Sequence, residues 1–143
     1  MGDETMTTME RRIDEAVVPM LTVRGWLRLE GAAAFAAGLA LYGWFGAPWL
    51  AVVPLLLVPD ISAVGYLGGP RLGAFTYNLV HNWAFGLGIL GLGLATGSGA
   101  VSVLGAVCIA HVGMDRTLGY GLKLPTSFQD THLGRIGKAR SQS

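Results

Sequence analysis

No charged side chain interrupts residues 31–59, GAAAFAAGLALYGWFGAPWLAVVPLLLVP, and the apolar character continues well beyond them. Between Glu30 and Asp115 only Asp60 and Arg71 carry a charge. A soluble domain needs a charged surface, and ordinary globular domains are about 25% charged. This chain of 143 residues is 13% charged and 52% hydrophobic, with a mean hydropathy of +0.50. The composition therefore predicts a polypeptide embedded in a membrane.

Four apolar segments are long enough to cross a bilayer, which takes about 20 helical residues. Glycine and proline separate them, because both residues interrupt helices. The predicted fold is all-α, an integral membrane four-helix bundle of up-down topology over residues 26–122. Polar segments precede and follow it, at residues 1–25 and 123–143, and residues 8–18 suit an amphipathic helix on the membrane surface. The four spans are predicted at residues 27–46, 48–68, 71–95 and 98–120.

The placement of lysine and arginine predicts the orientation of these spans. The connections 43–48 and 96–100 contain neither residue, and loops rich in lysine and arginine stay in the cytoplasm. Both termini are therefore predicted to be cytoplasmic. The first 20 residues are charged and lack the apolar core of a signal peptide, so the first span is expected to act as the insertion signal. The sequence predicts a multi-pass protein of the cell's inner (plasma) membrane, and its net charge of +1 gives no indication of nucleic-acid binding.

Polar side chains inside a membrane are costly, so they mark candidate functional sites. A helix rises about 1.5 Å per residue, which allows their depth to be estimated from the span boundaries. Asp60, His81, His111 and Asp115 all fall in the cytoplasmic half of their spans by this measure. We therefore expect a polar pocket that opens towards the cytoplasm or the inner leaflet.

Helical spacing places several of these residues on common faces. Asn78, His81 and Asn82 follow an i, i+3, i+4 pattern in the third predicted span. His111 and Asp115 are four residues apart in the fourth. Both faces are expected to point into the bundle, because contact with acyl chains is unfavourable.

Three chemistries use such a set of groups. Two imidazoles with one or two carboxylates suit zinc or non-haem iron, and His81, His111 and Asp115 could be ligands with Asp60 completing the shell. Without a metal, a carboxyl group in a low-dielectric pocket can donate a proton to a lipophilic substrate. The third alternative is structural, with the histidines as hydrogen-bond donors between helices.

Arg116 extends the set, because it follows Asp115 directly and could pair with Asp60, with Glu30 or with a lipid phosphate. In the structural alternative, Asp115, Arg116, Glu30 and Asp60 form a buried ion-pair network. The glycines of the third span favour close helix packing, and glycine-rich faces could also support a homo-oligomer.

Three segments resemble a bacterial family of small membrane proteins catalogued as domain of unknown function 4260. They are WLRLEG (26–31), PDISAVGYLGGPRLGAFTYNLVHN (59–82) and AHVGMDRTLGYGLKLPTSFQDTHLGRIG (110–137). The resemblance implies a four-helix membrane protein and no particular activity. It also implies that the family motifs include Glu30, Asp60, Tyr77, Asn78, His81, His111, Asp115, Arg116, Lys123, Asp130 and His132.

The leading hypothesis is an enzyme in the lipid bilayer that acts on a lipid-like or isoprenoid-like substrate. The alternatives are a small transporter or channel and a noncatalytic membrane partner. Tyr77 and Tyr120 also suit the aromatic belt at a membrane interface. The predicted catalytic groups are Asp60, His81, His111, Asp115, Glu30 and Arg116. The predicted substrate-binding groups are Asn78, Asn82, Tyr77, Tyr120, Lys123, Asp130 and His132.

Overall fold

The computed structural model describes residues 22–137, a mostly helical chain; the helix predicted at residues 8–18 lies outside this range. Two 3-10 helices, Trp49–Ala51 and Pro59–Gly68, flank a short helix at Val52–Leu56. A hairpin of two short strands follows the last helix. The helices are α1 Val23–Trp44, α2 Val52–Leu56, α3 Pro70–Val80, α4 Trp83–Thr96 and α5 Gly99–Leu118, and the strands are β1 Asp130–Thr131 and β2 Gly134–Arg135.

Helix α5 is the most enclosed element, and small residues bring α1 and α4 against it. A Cβ atom at Gly38 of α1 would lie 2.6 Å from the backbone nitrogen of Ala110. A Cβ atom at Gly93 of α4 would lie similarly close to Ser102 of α5. Small residues let helix backbones approach closely in membranes, where van der Waals packing drives association. This packing fixes the position of His111, the residue after Ala110.

The segment Trp49–Gly68 lies at the periphery of the described fold. Only 6% of its apolar 18-residue stretch is buried, against 61% for α5. Its backbone changes to a 3-10 helix at Pro59, beside Asp60, where the proline pattern predicts a break. The 3-10 helix packs against α3, and Thr76 of α3 donates a hydrogen bond to the carbonyl of Ser62 at 2.8 Å. The peripheral segment therefore carries Asp60 to the side of α3.

The third predicted span, residues 71–95, is two helices rather than one. The helix axis bends by 45° between α3 and α4. His81 leaves helical geometry at φ −91° and ψ 36°, and Asn82 is extended. The side chain of Asn82 accepts a hydrogen bond from the backbone N–H of Phe85 and so caps α4. The predicted common face of Asn78, His81 and Asn82 is therefore wrong for Asn82.

Within residues 22–137, two helices are long and apolar enough to cross a membrane, Trp49–Gly68 and α5. The bent pair α3 and α4 makes a third if it is counted as one span. α1 is long enough, with 22 residues, but it is not apolar enough by the same measure, because Arg24, Arg28 and Glu30 lower its mean hydropathy. The structure therefore supports two or three candidate spans, and the four-span bundle of up-down topology remains a prediction.

The chain after α5 folds back across α3 instead of leaving the molecule. Asn78 anchors it: its side-chain amide donates to the carbonyl of Lys123 at 2.9 Å and accepts from the N–H of Lys123 at 2.7 Å. Lys123 also pairs with Thr131, which brings the β1–β2 hairpin alongside. This places the Lys123 side chain close to the polar residues of α3.

Candidate metal centre

Two buried histidines face each other, one at the end of α3 and the other inside α5. The Nδ1 atom of His81 lies 2.9 Å from the carbonyl oxygen of Tyr77, and that of His111 lies 2.6 Å from the carbonyl oxygen of Leu56. A carbonyl oxygen only accepts hydrogen bonds, so both Nδ1 atoms carry the hydrogen. In the neutral imidazoles, both Nε2 atoms therefore present a lone pair. Such hydrogen bonds from the far ring nitrogen are typical of histidines that bind metals.

The two Nε2 atoms converge with a carboxylate oxygen. They lie 3.0 Å from each other, and Oδ1 of Asp60 lies 3.4 Å from His81 and 3.5 Å from His111. Three lone pairs at these distances repel one another unless a proton or a metal ion lies between them. Zinc bound tetrahedrally at about 2.0–2.1 Å separates its ligands by about 3.3–3.4 Å, which agrees with the two sides of the triangle at Asp60, whereas the side between the imidazoles is shorter. Asp60, His81 and His111 thus have the donor types and spacing of a metal site.

A second carboxylate lies just outside the triangle. Oδ2 of Asp115 is 3.8 Å from Nε2 of His111 and 4.0 Å from Nε2 of His81. The hydroxyl of Tyr77 donates to the same oxygen at 2.8 Å, and the Tyr77 ring stacks on His81 with the ring centres 3.6 Å apart. Tyr77 therefore orients both an imidazole and a carboxylate of the cluster.

The cluster is enclosed on three sides and open at Asp60. The side chains of His81 and His111 are each 1% exposed and that of Asp115 is 9% exposed, whereas that of Asp60 is 51% exposed. A groove of about 480 Å³ is lined by Pro59 and Ile61, the two neighbours of Asp60, though not by Asp60 itself, and most of its wall is apolar. Ser62 connects the two features, since it lines the groove and its Oγ lies 3.5 Å from Nδ1 of His81.

Two predicted charges of the site, Glu30 and Arg116, form no ion pair with the cluster among residues 22–137. Glu30 is exposed on α1, and within residues 22–137 no ion pair joins it to the cluster. Its neighbour Gly31 packs against α5, so Glu30 lies off the helix contact. Arg116 donates to two backbone carbonyls, that of Tyr120 at 2.6 Å and that of His81 at 3.2 Å. The ion-pair network of the structural alternative is therefore absent from the described part of the chain.

Most of the predicted substrate-binding residues shape the chain around the cluster. Asn78 and Asn82 bind backbone groups, as described above. The ammonium group of Lys123 lies 3.8 Å from the ring centre of Phe128 and 5.1 Å from that of Tyr77, and it donates to the carbonyl of Phe128. Burial lowers the pKa of Lys123, and the nearby Asp115 partly offsets this. Lys123 is the one tail residue that the structure brings beside the cluster's own Tyr77.

The remaining tail residues do not reach the cluster. Asp130 accepts from Thr126 at 2.8 Å, which lowers the pKa of Asp130, and it pairs with Arg135 at 3.2 Å. Nδ1 of His132 accepts from the N–H of Leu122 at 2.8 Å. Tyr120 is partly exposed at the end of α5. The contacts of Asp130 and His132 hold the hairpin together, and the binding roles of all three residues stay predictions.

Tyr77 was the least expected member of the site. Its location near a predicted span end favoured a belt aromatic, yet its side chain is buried and touches both His81 and Asp115. The spacing could have revealed this, because residue 77 precedes residue 81 by one helical turn. The carbonyl of Leu56 had no comparable signal, since any residue type supplies one.

Residues 24–136 match the model of a family described as Domain of unknown function (DUF4260), and the chain belongs to that family. The match confirms the resemblance found in the three sequence segments. It includes every residue of the buried cluster, but its description assigns no activity. No curated protein and no solved structure matches the chain.

Proposed function

We propose that this chain is an integral membrane enzyme that binds zinc or iron and acts on a lipid-like or isoprenoid-like substrate. The observation that carries the proposal is the convergence of one carboxylate oxygen of Asp60 with the Nε2 atoms of His81 and His111. Both imidazoles are held by their Nδ1 hydrogens, so neither Nε2 atom needs to move to bind an ion. This is the preorganisation that a metal ligand set requires.

The residues around the triangle support chemistry rather than storage of an ion. A bound divalent ion supplies Lewis-acid activation of water or of a substrate oxygen. Asp115 lies close enough to exchange a proton with a group held at the triangle, and Tyr77 keeps its carboxylate in place. Asp60 is the exposed ligand, so a substrate approaches the ion from its side.

The groove beside Asp60 supports a hydrophobic substrate. Ser62 and Thr76 contribute hydroxyl groups to its lining, and most of the remaining lining side chains are aliphatic or aromatic. In the same segment, Ile61, which lines the groove, is 67% exposed and Leu67 is 89% exposed. Large exposed apolar surfaces of this kind are normal against lipid and rare against water. A substrate dissolved in the bilayer would thus reach the ion without crossing an aqueous phase.

The packing of α1 supports a fourth span. Gly31 meets Gly113 near one end of the contact, and Gly38 meets Ala110 and Ala106 further along. The two helices are therefore antiparallel, and α1 lies beside α5 at the same level. If α5 crosses the bilayer, then α1 crosses it too, despite its lower hydropathy. This arrangement gives the up-down bundle with both termini on one side.

A transporter has less support. A through-path needs polar groups along the entire length of the bundle, yet α4 has no polar side chain before Thr96. In the half of α5 before His111, Ser102 is the residue with a hydroxyl, and it packs against Gly93. The polar residues instead gather at one depth, as an active site requires.

Metal content tests the proposal. The protein is purified in a neutral detergent, stripped with chelator and dialysed against Zn²⁺ or Fe²⁺. We expect about one ion per chain in the wild type and less than about a tenth of that in His81→Ala and His111→Ala, because each variant loses a ligand. His132→Ala is the matched control, since His132 lies outside the triangle, and it should retain the ion.

Turnover is measured on the same proteins with a total lipid extract, followed by mass spectrometry. We expect the wild type and His132→Ala to convert one lipid class that the two cluster variants leave unchanged. Metal binding without any conversion would reduce the proposal to a metal-binding membrane protein. A wild type that takes up no ion would contradict the metal centre itself.

A further inference from the structure

A second cavity, of about 330 Å³, lies between the start of α1, the end of α5 and the hairpin. Four arginines line it, Arg24, Arg28, Arg116 and Arg135, and no acidic residue within the described range 22–137 does. It shares none of its lining with the triangle of Asp60, His81 and His111. The volume is within the usual range for small-molecule sites.

The arrangement of these arginines is unfavourable unless something negative lies among them. Arg24 and Arg28 are four residues apart on α1, and like charges at this spacing destabilise a helix. Within residues 22–137, neither makes an ion pair. Asp130 neutralises Arg135 alone, from outside the cavity. The cavity therefore retains a net positive charge.

Two glycines give the guanidinium groups their room. Gly119 has φ +90° and Gly134 has φ +115°, conformations that favour glycine. A Cβ atom at Gly119 would lie 3.1 Å from the guanidinium of Arg28, and one at Gly134 would lie 3.4 Å from that of Arg24. The main chain thus approaches both arginines closely, which brings residues from three elements around one space.

We propose that this cavity binds a phosphate-type anion, a phosphomonoester or a diphosphate. Guanidinium groups recognise phosphate through paired N–H donors and keep their charge at every physiological pH. Four of them around one space suit a group with two or more negative charges. The anion is carried either by a lipid headgroup or by a free phosphate compound, and this chemistry does not depend on the metal centre.

Binding is measured calorimetrically on the full chain in neutral detergent. One arm titrates inorganic phosphate at constant ionic strength, and the other titrates phosphatidic acid in mixed micelles, with phosphatidylcholine as the lipid control. We expect saturable binding in at least one arm. Phosphate binding identifies a free compound as a sufficient ligand, whereas binding of phosphatidic acid alone identifies a lipid headgroup.

The double variant Arg24→Gln with Arg28→Gln should raise Kd at least about tenfold, because each substitution removes a charge-assisted hydrogen bond. Arg135→Gln changes the opposite wall and should weaken binding as well, so the test stands if the double variant does not fold. Arg71→Gln is the matched control, since Arg71 starts α3 away from the cavity. No saturable binding in either arm, or an equal loss in the Arg71 control, would overturn the proposal.

Discussion

At the scale of single residues, the site depends on backbone carbonyls as much as on side chains. His81 and His111 owe their tautomers to the carbonyls of Tyr77 and Leu56. Only the first of these partners is local, one helical turn before the histidine. The cost of burying polar groups predicts Asp60, His81, His111 and Asp115 as a cluster, and the structure brings these four together. The cost of burying polar side chains cannot predict a hydrogen-bond acceptor that the backbone of a distant helix contributes.

Tyr77→Phe tests how far the hydroxyl of Tyr77 supports the centre. The variant keeps the ring stacked on His81 but removes the hydrogen bond to Asp115. We expect metal affinity to fall about 10- to 100-fold, the usual cost of losing an outer-shell partner. Competition with a chromophoric chelator measures this change.

The matched control is Tyr42→Phe. Tyr42 is equally buried, and its hydroxyl donates to the carbonyl of Pro48 at 2.7 Å, away from the metal centre. Its loss should lower the melting temperature and leave metal affinity unchanged. Equal affinities in both variants and the wild type would show that Asp115 has no influence on the ion.

At the scale of elements, the breaks in the helices place the ligands. Prolines mark the break beside Asp60 in the sequence, and the structure has it there. No proline or glycine marks the break at His81 and Asn82. Asparagine is a preferred N-cap residue, so the sequence did contain a signal, but an apolar stretch of 25 residues favours one continuous helix. The bend lets α3 follow the peripheral segment while α4 remains packed on α5.

Gly38→Ala tests whether helix contact positions the metal centre. The new Cβ atom would lie 2.6 Å from the nitrogen of Ala110, so α1 and α5 must separate and His111 must shift with its helix. We expect a loss of about 1–3 kcal/mol in the free energy of unfolding, as overpacking typically costs. Thermal and denaturant unfolding in detergent measures it, and metal affinity should fall in parallel.

Gly88→Ala is the control for helix propensity. Nothing lies within 4 Å of a Cβ atom at Gly88, which faces outward on α4. Removing a glycine from a helix interior should stabilise the protein by about 0.5–1 kcal/mol. If both glycine variants behave alike, close contact between α1 and α5 is not what holds the bundle together.

At the scale of the whole molecule, α1 decides the topology. Hydropathy alone does not select it as a span, because its first turns carry three charged side chains. Its packing favours α1 as a span, since Gly31 and Gly38 hold it antiparallel against α5. The charged turns would then lie at the level of the headgroups, next to the arginine-lined cavity. Composition predicts that the chain is embedded in a membrane, whereas helix packing indicates which helices lie at the same level.

Reporter fusions determine the number of spans. With four spans, green fluorescent protein should fluoresce at either terminus, and alkaline phosphatase should be active when inserted at Ser98 between α4 and α5. An insertion at Gly69, between the peripheral segment and α3, is the control and should be inactive, because that connection faces the cytoplasm together with Arg71.

With three spans, the termini would lie on opposite sides, and a terminal phosphatase fusion would become active at one end. That result would mean that α1 does not cross the membrane, and it would contradict the inference that α1 lies at the same depth as α5, drawn from their antiparallel contact. The reporter pattern therefore decides whether α1 spans the membrane.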